Sequence, residues 1–201
     1  ICTVMSDNEN TIKRPTIGFV GLGFMGSAMV ERLQDLRYKL HVLVNNSRTN
    51  VEAAVKRGAV EVFSGFELAS KSDIIMICVN TSKTVEKLIY GINGIKSGVK
   101  IGSIIIDFGT SQPRSTKSIA NDLKNIGIGY IDAPLGRTLL FARKGKLNIM
   151  GAGQRNDFIS VKPILDDLGE NVFYIGPSGS GHSLKLINNF IAMTTASAMS
   201  Q

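Results

Sequence analysis

The 201-residue chain has no tryptophan, two cysteines, two histidines and only 6% aromatic residues. Cys2 and Cys78 are too few for a disulfide framework, and Cys78 stands inside an apolar run. That usage suits a reducing compartment. His41 and His182 fall in no metal-ligand cluster, so no metal site is expected. No apolar run approaches the ~20 residues a membrane helix requires, and residues 1–14 lack the basic start and apolar core of a secretory signal. A cytoplasmic protein with no membrane partner is the expectation. The net charge is +7, but basic residues occur in runs no longer than two and aromatics are sparse. Nucleic acid is therefore not an expected partner, and the charge instead suits an anionic cofactor or substrate.

What is present is alternation. Strand-like apolar runs fall at Thr16–Val20, Leu40–Val44, Asp73–Val79, Ser103–Asp107 and Gly129–Asp132, with shorter ones at Leu147–Met150 and Val172–Ile175. Helical periodicity occupies Met25–Arg37, Asn50–Arg57, Lys83–Tyr90, Pro113–Asn125, Gln154–Asp167 and the stretch from Ser180 onward. The runs at 74–79 and 104–106 are apolar on both faces, as buried parallel strands are. This order predicts an α/β fold built on a doubly wound sheet. Three segments follow: a polar tail at 1–14, a domain at 15–178, and a helix at 179–201 that is apolar nearly all round and needs a partner. That helix, and a first residue other than methionine, suggest a piece of a longer protein whose next, all-helical part is missing.

Between the first strand and first helix lies Gly21-Leu22-Gly23-Phe24-Met25-Gly26. In that context it reads as the dinucleotide-binding turn of a Rossmann unit. The first glycine allows the tight turn, the second lets backbone approach a pyrophosphate, and the third lets helix pack on strand. Amides at the new helix start then face the phosphates. At the end of the second strand, Val44-Asn45-Asn46-Ser47-Arg48 supplies no acid for a ribose diol. Asn45 and Asn46 can hydrogen-bond a 2′-phosphate and Arg48 can neutralise it, which favours NADP over NAD. The same residues would also serve as a polar turn capping the next helix through Thr49 or Asn50.

A second motif carries acid–base chemistry. On a helix, Gly181, Lys185 and Asn189 share a face, with His182 and Asn188 at its edge. Lys185 is the only positive charge on an otherwise apolar helix, so it is a candidate proton donor and acceptor, with its pKa drawn down by burial. Gly181 leaves room for a ligand beside the backbone, while Asn188 and Asn189 offer donors and acceptors to a substrate. His182 reads as a helix-start or site-edge residue and His41 as part of a strand.

Taken in order, Gly18 to Gly26, Asp107-Phe108-Gly109-Thr110-Ser111-Gln112-Pro113, Asp132-Ala133-Pro134-Leu135-Gly136-Arg137-Thr138 and Gly181 to Asn189 resemble the β-hydroxyacid dehydrogenases of the 3-hydroxyisobutyrate dehydrogenase type. The resemblance implies hydride transfer between NADP or NAD and a small anionic aldehyde or hydroxy acid, with Lys185 as general acid/base. It further implies cofactor contacts at Val79, Asn80 and Thr110, substrate contacts at Gly136, Arg137 and Thr138, and a homodimer or higher homo-oligomer. Gly136-Arg137-Thr138 replaces the family's Ser-Gly-Gly, and a fixed positive fork there suits a stronger or more distant anion. In this the chain looks like the sulfolactaldehyde reductase branch, although Arg137 could instead face solvent or pair with Asp132. Two other readings stay open. One is a 6-phosphogluconate dehydrogenase-like enzyme, which shares the Gly-x-Gly-His-x-x-Lys run but has a His where Asn188 stands. The other is a truncated, inactive nucleotide-binding or regulatory module.

Overall fold

The structure is a computed structural model that describes residues 14–45 and 48–200. Cys2, Asn46 and nearly all of the polar tail lie outside the described residues. Along the chain come β1 (Ile17–Val20), α1 (Phe24–Asp35), β2 (Leu40–Leu43), α2 (Arg48–Lys56), β3 (Val60–Val62), α3 (Gly65–Ser70) and β4 (Ile74–Ile77). Then follow α4 (Ser82–Tyr90), α5 (Ile95–Gly98), β5 (Ile104–Asp107), α6 (Pro113–Lys124), β6 (Gly129–Asp132), β7 (Leu135–Gly136) and α7 (Leu139–Arg143). The last elements are β8 (Leu147–Ala152), α8 (Arg155–Leu168), β9 (Gly169–Gly176) and α9 (Ser180–Met199).

One sheet runs β3-β2-β1-β4-β5-β6-β8-β7, with β9 on the far side of β8. The strands from β1 to β6 pair in parallel. β8 is antiparallel to β6 and β7 and parallel to β9. Side chains alternate between two cores, because successive strand residues point to opposite faces. Ile17, Phe19, Ile74, Met76 and Ile106 pack with α1, α2 and α8. Val20, Ile75, Ile77 and Ile105 pack with α3, α4 and α6 on the other face. The fold is the expected doubly wound α/β sheet.

The chain leaves β1 towards β2 and β3, then crosses back to β4 on the other side of β1. Loops that follow β1 and β4 therefore part at the carboxyl edge, where such sheets leave a ligand crevice. Five elements were not foreseen from the sequence: β3, α3, α5, β7 and α7, each six residues or shorter.

Among the described residues no helix is long and apolar enough to cross a membrane. The buried residues of α9, Gly181 and His182, lie in its first turn. Leu186, Ile187, Phe190, Ile191 and Met193 are exposed. Gly181 does not leave space for a ligand. A Cβ there would lie 2.4 Å from the Met150 carbonyl oxygen and 3.0 Å from Asp132 Oδ2. Its missing side chain lets the helix close onto β8 and β6 instead.

Candidate functional site

The glycine turn occupies the carboxyl end of β1. Gly21 has φ +96°, and a Cβ there would meet the Cys78 carbonyl oxygen at 2.2 Å, so glycine is required both for the backbone and for the approach to β4. At Gly26 a Cβ would stand 2.0 Å from the Gly21 carbonyl oxygen. Gly23 differs: nothing lies within 4 Å of the Cβ position. It is the N-cap of α1, contributes no side-chain hydrogen bond, and is followed by a first turn without acidic residues. No carboxylate of that turn competes for its amides, and the helix dipole favours an anion beside them. A dinucleotide's pyrophosphate fits this cradle.

Behind the turn, Leu22, Asn45, Val79 and Asn80 line a small depression, and the Asn50 side chain donates to the Leu22 carbonyl oxygen at 2.7 Å, tying α2 to the turn. Arg48 opens α2, and its guanidinium is engaged by two carboxylates, Glu61 and Glu52.

In front of the turn lies a cleft of about 620 Å³. Gly23, Phe24, Met25 and Gly26 border it, as do Val79 and Asn80 after β4 and Thr110 after β5. Arg137 and Lys185 close its far side. Residues from 23 to 185 therefore meet at one sheet edge. Lys185 is half-buried, and desolvation lowers its pKa from the ordinary lysine value. Cys78 also faces the cleft, its thiol pushed up to about 12 by burial and by Asp107.

Other expected residues stand apart. Asn188 is exposed, Asn189 is half-buried, and neither lines the cleft. Gly136 belongs to β7, and Thr138 is the exposed N-cap of α7. Arg137 itself has φ +74°, the left-handed backbone that glycine adopts freely. Its guanidinium pairs with Glu170, donates to the Lys146 carbonyl oxygen at 2.9 Å and stacks 5.0 Å above the Phe141 ring. The local partner is thus Glu170 rather than Asp132.

Residues 16–176 match the family model described as the NAD binding domain of 6-phosphogluconate dehydrogenase. The chain belongs to this NAD-binding family. Among relatives, it is 33% identical over 185 residues to 2-hydroxy-3-oxopropionate reductase of Escherichia coli (strain K12), covering 92% of this chain and 63% of that protein. It is likewise 33% identical over 185 residues to mitochondrial 3-hydroxyisobutyrate dehydrogenase of Mus musculus, covering 92% and 55%. The structure of Psf3 in complex with NADP+ and 2-OPP superposes with a TM-score of 0.82 at 26% identity, covering 87% of this chain and 61% of that one. These names support the resemblance to β-hydroxyacid dehydrogenases. The chain spans roughly 55–63% of the length of these curated relatives.

Sequence reasoning missed a buried polar cluster that anchors the lysine helix of this NAD-binding domain. Asp107, at the end of β5, accepts from the Gly109 amide at 2.9 Å, Ser111 Oγ at 2.9 Å and the Tyr130 hydroxyl at 3.2 Å. Asp132, at the end of β6, accepts from the Gly179 amide at 2.8 Å and the His182 amide at 3.0 Å, capping α9. His182 is wholly buried, with Nδ1 2.8 Å from Thr116 Oγ1 and Nε2 3.8 Å from Asp107 Oδ2. It is a helix-start residue, as expected, but its ring faces the protein interior and not the cleft. Burial raises the Asp132 pKa while the Gly179 and His182 amides oppose that shift. The signal was available: both aspartates end apolar strands, where a charge needs built-in partners.

Proposed function

We propose that the chain is the cofactor-binding part, with the catalytic lysine, of an NAD(P)-dependent oxidoreductase that interconverts a small acidic aldehyde and its β-hydroxy acid. The observation that supports this reading is the single cleft bordered by the glycine turn, the β4 and β5 ends and Lys185. A bound nicotinamide dinucleotide supplies or takes up the hydride. The α1 amides and the open face of Gly23 hold its pyrophosphate, and Val79, Asn80 and Thr110 border the part that enters the cleft. Lys185 holds the proton: its ammonium donates to the carbonyl oxygen as that becomes a hydroxyl, and the neutral amine accepts it in the reverse direction. Partial burial places that transfer nearer neutral pH than a solvated lysine would allow. Arg137 anchors the substrate's anion, leaving Glu170 to do so.

The finer readings belong to the same proposal. The positive fork at Arg137 favours a sulfonate or a distant carboxylate, as in the sulfolactaldehyde reductase branch. Residues 15–178 form the nucleotide domain, from which α9 leads away. The exposed apolar side of α9 then packs against a helical partner or a second subunit. Lys185→Ala should lower turnover by about 100-fold or more while leaving dinucleotide affinity within about twofold. Steady-state rates with a panel of acidic aldehydes, together with a binding titration, check both halves. Retained turnover would remove Lys185 from the mechanism.

A further inference from the structure

Arg48 begins α2 five residues after the carboxyl end of β2, and three residues after Asn45, which lines the depression behind the glycine turn. A ribose 2′-phosphate would gain most from this guanidinium, yet the guanidinium is already held. Its Nη1 pairs with Glu61 Oε1, and its Nε lies 3.1 Å from Glu52 Oε1. The two carboxylates are not equivalent. Glu52 lies one turn along α2 with its side chain 53% exposed, whereas Glu61 projects from β3 with its side chain only 16% exposed. β3 is the edge strand and pairs with β2, Glu61 beside Val42. The sheet register therefore fixes Glu61 where it can draw the Arg48 side chain over the edge strand.

We propose that Glu61 sets the coenzyme preference, by holding Arg48 against the edge strand and weakening its hold on a ribose 2′-phosphate. This rests on the dinucleotide reading of the cleft. An arginine offers a planar fork of donors, and each edge committed to a carboxylate is one that a phosphate must win by displacement. Two carboxylates also cancel the local positive charge that would otherwise distinguish NADP from NAD. Because the contacts are partly solvated, the effect is a modest ratio and not an all-or-none switch.

The test is a calorimetric titration of the chain with NADP+ and with NAD+. Glu61→Gln, nearly isosteric, should tighten NADP+ by about three- to fivefold and leave NAD+ nearly unchanged. Glu52→Gln, on the exposed helix face, should move the same ratio in the same direction by less. In an Arg48→Gln background the Glu61→Gln gain should vanish, because Glu61 acts through Arg48. Equal shifts for both dinucleotides, no shift in either glutamate variant, or a gain that survives without Arg48 would each overturn the proposal. If the unaltered chain binds neither dinucleotide, the reading of the cleft itself fails, and this inference with it.

Discussion

Three glycines in six residues do three different jobs, and space around each tells them apart. At Gly26 a methyl group would drive into the Gly21 carbonyl oxygen, so Gly26→Ala must displace backbone. It should destabilise the fold by about 1–3 kcal/mol in denaturant unfolding. At Gly23 there is room for the same methyl in the free protein. Gly23→Ala should change stability by no more than about 0.5 kcal/mol and still weaken dinucleotide binding by about tenfold or more, since the methyl fills the surface a pyrophosphate approaches. Paired unfolding and titration curves separate the two outcomes. Lys185 makes a different prediction. Its pKa is lowered from 10.5 by burial, so under the proposed mechanism aldehyde reduction, which would use the ammonium, should decline with rising pH at a midpoint below 10.5. Alcohol oxidation, which needs the amine, should rise through the same window. The sign for stability agrees: between the lowered pKa and 10.5 the unfolded chain binds more protons, so Lys185 favours folding increasingly as pH climbs. pH–rate profiles in both directions check the assignment.

At the scale of elements, legibility followed range. Strands β1, β2, β4, β5 and β6 and their long helices were readable because apolar periodicity is local. Short pieces were not, since two to six residues show no period. α3 still carried a readable sign in Ser64-Gly65-Phe66-Glu67, a serine followed three places later by glutamate. Ser64 Oγ accepts from the Glu67 amide at 3.1 Å, and Glu67 Oε2 accepts from the Phe63 amide at 3.0 Å. Ser64→Ala should therefore cost about 1 kcal/mol of stability, measurable by chemical denaturation. The lysine helix shows the limit of local reading. Its spacing correctly set Lys185 on one face with Gly181, yet Asp132, which caps that helix, is 47 residues before Gly179. Arg48 and Arg137 were legible as cations at motif positions, whereas their carboxylate partners Glu61 and Glu170 come from other strands.

Across the whole molecule, packing is uneven. The sheet is covered on both faces, while α9 leaves the body after its first turn with Phe190 70% and Met193 74% exposed. Amide exchange should be slow in β1, β4 and β5 and fast in α9 beyond Phe190, because few tertiary contacts protect that segment. Protection of residues 190–199 as strong as that of the central strands would show that α9 is covered by something this chain does not itself provide. Sequence alone determined the alternating α/β plan, the glycine turn and the helix that carries Lys185, since strand length, helical period and turn sterics act over a few residues. Only the tertiary structure decided that Gly23, Thr110 and Lys185 border one cleft, that His182 faces inward, and that Arg48 and Arg137 are each held by a glutamate. Those outcomes depend on sheet order and register, which bring side chains together across separations that no local pattern records.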